Sequence, residues 1–207
     1  MLPTFLAFLL VDMTARLAAR GLLILDRDGV INQDSPKFVK NTDEWLPIPG
    51  SIEAIAKLSR AGYTVAVASN QSGLARGLFD RKALRAMHRK LRRLVAAEGG
   101  HIDRIVVCPH GPDDGCRCRK PAPGLLQRLA RYYGTSLDGV PAVGDSLRDL
   151  EAAVAAGATP ILVRTGNGKA VASRLPKSLR SVSVFDNLAA VADTSVSYTH
   201  LTLPTTP

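Results

Sequence analysis

The sequence predicts an α/β domain built on a Rossmann-like, mostly parallel sheet with helices on both faces. Short apolar runs alternate along the chain with longer segments of helical periodicity, which is the order of strands and helices in parallel α/β proteins. Several of the apolar runs also end in a polar residue. Buried parallel strands deliver such residues to one edge of the sheet, where ligands bind in folds of this class.

The first strand is predicted at Leu22–Leu25, an uninterrupted apolar run that ends at Asp26. Gly50 and Ser51 open a helix that ends before Gly62, and a second strand follows at 63–68. The later elements continue the same alternation of apolar runs and helical periodicity. They are a basic helix that begins at Arg81, a strand at 104–107, a helix at Gly124–Tyr133, a strand at 140–143, a helix at Leu147–Ala156, strands at 160–163 and 182–185, and a helix from Asp186 that ends near Ala192.

Composition places the chain among ordinary globular proteins. Of its 207 residues 46% are hydrophobic and 22% are charged, which excludes a disordered chain, and an odd count of three cysteines does not suit a disulfide framework. The net charge of +9 leaves a non-enzymatic nucleic-acid-binding protein as an alternative. We favour a solvated basic face on the helix that begins at Arg81, because only 5% of the residues are aromatic, too few for base stacking.

The two ends of the chain do not fit the domain pattern. Residues 1–12 form an apolar run that is too short to span a bilayer and lacks the basic start of a signal peptide. We interpret them as an over-extended start, with a cleaved signal as the alternative. Residues 195–207 are rich in Thr and lack helical or strand periodicity, which indicates a non-native or disordered tail, so His200 is not counted as a ligand. The domain is therefore predicted at 13–194.

Polar side chains capable of phosphate chemistry follow the predicted strands. They are Asp26 and Asp28 after the first strand, Ser69 after the second, Lys120 in the loop after the third, and Asp145 with Asp149 after the fourth. Neighbouring carboxylates repel each other, and Mg²⁺ relieves that repulsion because it prefers oxygen ligands and commonly binds substrate phosphate as well. A carboxylate can also act as a nucleophile towards phosphorus, and a fixed lysine neutralises charge in the transition state. Singly, each residue has a structural alternative, such as solvated loop acids or an acid that favours a helix N-terminus.

All three cysteines lie in one loop together with a histidine, at Cys108, His110, Cys116 and Cys118. Three thiolates and one imidazole are enough for a closed tetrahedral Zn²⁺ site, and four protein ligands leave no open position for a substrate. The alternative, three unconnected thiols and an unrelated histidine, does not explain why every cysteine lies in this loop. The spacing therefore predicts a structural zinc that fixes a polar loop beside Lys120.

These motifs, in this order, resemble those of the haloacid dehalogenase superfamily of phosphotransferases. The segment from Asp26 to Val30 matches the first motif, Asp-x-Asp-x-Thr/Val, and Ser69 and Lys120 match the second and third. Asp145 and the acid four residues later match the fourth, so that the resemblance covers about residues 22–188. It implies a Mg²⁺-dependent phosphomonoester hydrolase that works through an aspartyl-phosphate intermediate.

The resemblance also implies a role for each acid. Asp26 would attack phosphorus, and Asp28 would protonate the leaving alkoxide and then activate water. Asp26, Asp28 through its backbone carbonyl, and Asp145 would hold Mg²⁺. The zinc loop resembles that of two branches of the superfamily, the D-glycero-D-manno-heptose 1,7-bisphosphate 7-phosphatases and the histidinol-phosphate phosphatases. In both, small loops take the place of a large cap domain.

Carried over by position, the substrate contacts would be Asp34, Ser35, Pro36, Lys37, Ser69, Asn70, Gln71, Ser72, Arg119 and Lys120. A bisphosphate requires a second cation and guanidinium suits phosphate, so Arg119 favours removal of the 7-phosphate of the heptose bisphosphate, in the synthesis of lipopolysaccharide core precursors. Histidinol phosphate, which carries an amine, stays the alternative, and residues 33–38 leave the anomer open. This function implies a cytoplasmic monomer with a small phosphorylated sugar as its partner, rather than nucleic acid or a membrane.

Overall fold

The structure, a computed structural model, describes residues 21–200, apart from the side chains of 198–200. The strands are β1 (Leu22–Leu25), β2 (Thr64–Asn70), β3 (Arg104–Cys108), β4 (Pro141–Gly144), β5 (Thr159–Val163) and β6 (Ser183–Phe185). The helices are α1 (Ser51–Arg60), α2 (Arg81–Ala97), α3 (Gly124–Tyr133), α4 (Leu147–Ala156), α5 (Gly168–Ala172) and α6 (Leu188–His200), with a 3₁₀ turn at Lys177–Leu179. The predicted alternation of strands and helices is confirmed.

The six strands form one sheet in the order β3-β2-β1-β4-β5-β6, and every neighbouring pair is parallel. From β1 the chain first builds outwards through β2 and β3, and it then returns to add β4 on the other side of β1. The carboxyl ends of β1 and β4 therefore flank the point where the strand order reverses. Parallel sheets bind their ligands in the crevice at this point.

Helices cover both faces of the sheet, as the sequence predicts. In β1, Leu23 and Leu25 face the core under α1, α2 and α6, whereas Leu22 and Ile24 face the core under α3 and α4. This alternation follows from the two-residue period of a strand. Because both faces are covered, β1 is apolar at every position and is completely buried.

The basic helix α2 buries one apolar stripe and exposes most of its basic side chains. Leu84, Met87, Leu91 and Val95 are buried at helical spacing. Lys90 differs from its exposed neighbours, because its Nζ donates to the backbone oxygens of Thr42 and Trp45 at 2.7 and 2.8 Å. Through Lys90 the helix therefore holds the loop that precedes α1.

Two predicted boundaries are wrong. Strand β2 continues to Asn70, because Ser69 and Asn70 pair with Val107 and Cys108 of β3; they do not lie in the loop that the sequence predicts. The last helix does not end near Ala192 but continues to His200. Its extra turns are held by the Tyr63 hydroxyl, which donates to the Ser195 backbone oxygen at 3.1 Å, and by Val196, which packs against the larger core.

The predicted over-extended start and residues 201–207 of the predicted tail lie outside the described residues. Within residues 21–200, no helix is long and apolar enough to cross a bilayer. The connection after β1 spans residues 26–50 and the one after β2 spans residues 71–80, and neither contains a helix or a strand of the sheet.

Candidate active site

Three carboxylates and one ammonium group meet at the carboxyl ends of β1 and β4. Asp26 follows β1, Asp145 follows β4, and Asp149 lies in the first turn of α4. Each of these acids offers an oxygen, and the three oxygens lie within 4.8 Å of one another. Lys120 reaches them from the loop after β3, with its Nζ 2.8 Å from Asp26 Oδ1 and 2.6 Å from Asp149 Oδ1. The structure thus brings four of the predicted strand-end and loop residues together.

The buried position of the cluster shifts the pKa values of its members. Burial raises the pKa of Asp26 to about 8 in spite of Lys120, and the charges of Asp149 and Asp145 add to the increase. Burial likewise raises the pKa of Asp145 to about 6. Burial alone would lower the pKa of Lys120, but the facing carboxylates of Asp149 and Asp26 outweigh it and hold the pKa above its ordinary value. A single ammonium therefore leaves negative charge uncompensated, and this arrangement suits a divalent cation.

Asn70 positions Lys120 from the neighbouring strand. Its side-chain amide donates to the Lys120 backbone oxygen and accepts from the Lys120 backbone nitrogen, both at 3.0 Å. The Lys120 ammonium, whose residue is only 4% exposed, also donates to the Ala68 backbone oxygen at 2.8 Å. The sequence predicts that Asn70 contacts substrate, and the structure gives it this additional positioning contact.

Asp149 is both an acid of the site and an acid at a helix N-terminus, the two possibilities that the sequence offers for it. Besides its ion pair with Lys120, its Oδ2 accepts hydrogen bonds from the backbone nitrogen and the hydroxyl of Ser146 at 3.0 and 2.5 Å. These bonds tie it to the residue that precedes α4, so that the carboxylate is both a helix-terminus residue and a member of the cluster. Gly144 is required beside it, because a Cβ at that position would lie 2.1 Å from the Asp149 Cβ.

The Asp28 side chain is held by three neighbouring residues and is not part of the group formed by Asp26, Asp145 and Asp149. Arg27 Nη2 lies 2.8 and 3.0 Å from its two oxygens, Asn32 Nδ2 donates to Oδ1 at 2.9 Å, and Gln71 Nε2 donates to Oδ2 at 2.7 Å. Burial alone would raise the pKa of Asp28, but the Arg27 charge and these hydrogen bonds hold it below its ordinary value. Asp28 is thus a fixed carboxylate beside the cluster, and its side chain is not a member of it.

Arg27 was not anticipated from the sequence as a site residue. It is 1% exposed, and besides Asp28 it donates to Gln71 Oε1 at 3.1 Å and lies 3.5 Å from His88 Nε2 of α2. Burial, followed by the Arg27 charge, lowers the pKa of His88 to about 3, so that the imidazole is neutral. The signal in the sequence is the position of Arg27 between Asp26 and Asp28 of the first motif. It is a weak signal, because an arginine between two aspartates is ordinarily solvated.

Ser69 is buried, and its hydroxyl accepts a hydrogen bond from Gln71 Nε2 at 2.8 Å. A cavity of about 350 Å³ lies over the cluster and is lined by most of the predicted substrate contacts. They are Asp34, Ser35, Pro36, Asn70, Gln71, Ser72, Arg119 and Lys120. Of the predicted contacts, Lys37 and Ser69 are not among its lining residues: Lys37 is exposed outside it, and Ser69 lies beneath Gln71.

Two further arginines line the same cavity and were not anticipated from the sequence. Arg76 lies in the loop after β2, with its guanidinium 5.7 Å from the centre of the Phe38 ring, and Arg148 lies in the first turn of α4. Together with Arg27 and Arg119 they make four arginines among the residues that line the cavity, which the carboxylates of the cluster line as well. Neither sequence position stood out among the many arginines of a basic chain.

The cysteine loop folds into one cluster. The Cys108 sulfur lies 3.6 Å from that of Cys116 and 3.2 Å from that of Cys118, and the latter two sulfurs are 3.5 Å apart. His110 Nδ1 lies 3.5 and 3.3 Å from the sulfurs of Cys108 and Cys118. A tetrahedral Zn²⁺ with bonds of about 2.3 Å separates its sulfur ligands by about 3.8 Å, so this donor set fits a zinc ion. Arg119 Nη1 donates to the His110 backbone oxygen at 3.2 Å, which connects the cluster to the cavity.

A family model described as polynucleotide kinase 3 phosphatase matches residues 23–146, and a HAD-hydrolase-like model matches residues 117–191. The D-glycero-beta-D-manno-heptose-1,7-bisphosphate 7-phosphatase of Pseudomonas aeruginosa is 58% identical over 175 residues, which is 84% of this chain and 97% of the relative. The protein of the same name from Bordetella bronchiseptica is 58% identical over 174 residues, or 83% of this chain and 96% of the relative.

A solved structure gives the same correspondence in three dimensions. The crystal structure of D,D-heptose 1,7-bisphosphate phosphatase from B. bronchiseptica, complexed with magnesium and phosphate, superposes with a TM-score of 0.83 at 56% identity. The match covers 86% of this chain and 99% of that structure. The similarity therefore extends over most of this chain and nearly all of that structure.

Proposed function

Since the chain belongs to the haloacid dehalogenase superfamily of phosphatases, and within it to the family of D-glycero-β-D-manno-heptose-1,7-bisphosphate 7-phosphatases, we propose that it removes the 7-phosphate of that sugar bisphosphate. The observation that carries the proposal is the buried Asp26–Lys120–Asp149 cluster at the point where the strand order reverses. It combines a nucleophile, a fixed cation and a cation-binding set of oxygens at the floor of a cavity.

The first half-reaction transfers the phosphoryl group to the protein. An Asp26 oxygen attacks phosphorus, the bond between phosphorus and the sugar oxygen breaks, and Asp28 gives a proton to the departing alkoxide. Lys120, held 2.8 Å from Asp26, fixes the orientation of the carboxylate and neutralises charge that develops on the phosphoryl oxygens. The product of this step is an aspartyl phosphate at Asp26.

The second half-reaction hydrolyses the aspartyl phosphate and regenerates the free carboxylate of Asp26. Asp28 takes a proton from water, the water oxygen attacks phosphorus, and the bond to Asp26 breaks to release inorganic phosphate. The donors around Asp28 favour its ionised form, which is the form that this step requires. The proton that Asp28 gains from water passes to the alkoxide of the next substrate, and the donors that favour the ionised carboxylate make Asp28 a stronger acid in that transfer.

Mg²⁺ is the proposed cofactor, and oxygens of Asp26, Asp145 and the Asp28 backbone carbonyl would hold it. When bound, it would polarise the phosphoryl oxygens and offset the charge of the facing carboxylates. The geometry supports this assignment, because the three carboxylates of Asp26, Asp145 and Asp149 meet around the single ammonium of Lys120. Zn²⁺ is proposed separately at the cysteine cluster, where it would stiffen the loop that carries Arg119.

The arginines that line the cavity support a bisphosphate over histidinol phosphate. Arg76, Arg119 and Arg148 are among the lining residues, and a second phosphate would find guanidinium partners there. The ammonium group of histidinol phosphate would instead face like charges. The relatives carry the β anomer in their names, and we propose the same anomer as the preferred substrate.

A nucleic-acid 3′-phosphatase is the second candidate, because the polynucleotide kinase 3 phosphatase model matches residues 23–146. The exposed basic face of α2 favours it. The high identity to the heptose bisphosphate enzymes over nearly their full length favours the sugar instead. An oligonucleotide bearing a 3′-phosphate is therefore a useful comparison substrate.

Replacement of Asp26 tests the reaction type. We expect D26N to lose phosphate release and to accumulate no acid-stable, ³²P-labelled protein after quenching, whereas the wild-type protein shows a labelled acyl phosphate. Asp138→Asn is the matched control, because it makes the same chemical change at an exposed carboxylate that does not line the cavity. Retained turnover in a folded D26N protein would contradict the proposal.

A further inference from the structure

The loop between β5 and α5 is pressed against the cation-binding acids. Thr165 Oγ1 donates to the Gly29 backbone oxygen at 2.6 Å. Gly166 has a φ of 55°, and a Cβ there would lie 2.2 Å from Asp145 Oδ2 and 2.6 Å from the Gly29 Cα. No residue with a side chain fits this position without moving Asp145, so the loop is built to approach that carboxylate closely.

Asn167, the next residue of this loop, makes a specific set of contacts. Its backbone nitrogen donates to Asp145 Oδ2 at 2.8 Å, and its side-chain Nδ2 donates to the same oxygen at 3.1 Å. Within residues 21–200, Asp145 Oδ1 accepts no hydrogen bond. One oxygen of the carboxylate is thus occupied by two donors, and the other is left for a different partner. Asp145 offers one carboxylate oxygen to the possible cation site that it forms with Asp26 and Asp149.

The Asn167 amide also reaches the loop expected to contact substrate. Its Nδ2 lies 3.3 Å from Asp34 Oδ2, so that one amide group sits between the carboxylates of Asp34 and Asp145. Both carboxylates lie within hydrogen-bond distance of this one amide nitrogen, so the two acids are close to each other as well. The amide donates to both carboxylates and thereby offsets their mutual repulsion.

We propose that Asn167 is a positioning residue for the cation, which fixes Asp145 with one oxygen turned towards the metal position and links that acid to the Asp34 loop. The inference rests on the proposed magnesium site and adds a residue that acts through Asp145. Groups that orient a metal ligand in this way change metal affinity by about 10–100-fold when they are removed. Because the same amide contacts Asp34, cation binding and the substrate loop are coupled, and the coupling acts in both directions.

The test is direct binding of Mg²⁺ to the full chain, measured by isothermal titration calorimetry without substrate. Asn167→Ala keeps the backbone donor and removes the side-chain amide, so we expect its Mg²⁺ dissociation constant to rise about 10-fold. Thr165→Ala is the matched control, because it removes a hydrogen bond from the same loop but none to Asp145, and we expect it to bind Mg²⁺ as the wild type does. At saturating Mg²⁺, the kcat of Asn167→Ala should return close to the wild-type value.

Two results would overturn the inference while leaving the proposed function intact. One is wild-type Mg²⁺ affinity in Asn167→Ala. The other is equal weakening in Asn167→Ala and Thr165→Ala, because loop placement rather than the amide would then control the affinity. Absence of Mg²⁺ binding in the wild-type protein would overturn the proposed magnesium site itself, and this inference with it.

Discussion

Replacing Lys120 with methionine should destabilise the protein far more than loss of an ordinary lysine would. Lys120 is 4% exposed, and its Nζ lies 2.8 Å from Asp26, 2.6 Å from Asp149 and 2.8 Å from the Ala68 backbone oxygen. Methionine keeps most of the apolar stem but leaves these partners buried without a cation. Breaking a buried ion pair from one side costs about 3–5 kcal/mol, and the melting temperature of a domain this size falls about 2–4 °C per kcal/mol.

Lys57→Met is the matched control for this prediction. Lys57 also lies 2.8 Å from a carboxylate, that of Asp193, but its side chain is 43% exposed and that of its partner 67%. Exposed pairs of this kind contribute about 0–1 kcal/mol. Urea unfolding of both variants, followed by circular dichroism, gives the comparison. Equal losses of stability in the two variants would refute the claim that burial gives Lys120 its importance.

The effect of Mg²⁺ separates the charge argument from a packing defect. A cation that binds the folded protein at 100 times its dissociation constant stabilises it by about 2.7 kcal/mol. In Lys120→Met the acids Asp26, Asp145 and Asp149 lack their ammonium, so Mg²⁺ should stabilise this variant more than it stabilises the wild type. A smaller Mg²⁺ effect in the variant would show that the loss of stability has another source.

The other predictions concern the zinc loop, His88 and the last helix. The purified protein should hold about one zinc per chain. Cys116→Ser should lose the metal and raise the KM for the bisphosphate, because Arg119 is bonded to His110 of the same cluster. A zinc-free protein with a normal KM would contradict the structural zinc. His88 has a pKa of about 3 in the folded protein and about 6.5 when unfolded. Its contribution to the free energy of unfolding is therefore complete above pH 6.5 and is lost progressively as the pH falls towards 3. At pH 5 the loss is about 2 kcal/mol, and urea unfolding at pH 7 and 5 should show His88→Gln to be less acid-sensitive than the wild type. A chain that ends at Thr194 should melt below one that ends at His200, because it lacks the Ser195 backbone oxygen that accepts from Tyr63; equal melting temperatures would restore the predicted boundary at 194.

The residues that could be predicted from the sequence are those whose position follows from strand order. Asp26 and Asp145 stand directly after buried apolar runs, and parallel strands bring such ends to one edge of the sheet. The cysteine cluster was predictable as well, because its ligands are neighbours along the chain. In both cases a local pattern and one general rule determine which side chains meet.

The remaining features depend on contacts that a local pattern does not contain. The Asp28 side chain turns towards Gln71, and Arg27 is buried against α2, because of packing between distant segments. Asn167 follows β5 and contacts Asp145, which follows the neighbouring strand β4. Nothing in the sequence around Asn167 indicates a metal site. Ser69 lies inside β2 because its pairing with β3 continues past the apolar run that predicted the strand.

The central claim, that the chain is a bisphosphate 7-phosphatase, is tested most directly by Mg²⁺-dependent phosphate release. The substrates are the α and β anomers of D-glycero-D-manno-heptose 1,7-bisphosphate, histidinol phosphate and a 3′-phosphorylated oligonucleotide, with ³¹P NMR to identify the ester that is cleaved. We predict the largest kcat/KM for the β bisphosphate, with loss of the 7-phosphate signal and retention of the 1-phosphate. A larger kcat/KM for histidinol phosphate or the oligonucleotide, or cleavage at the 1-position, would contradict the account.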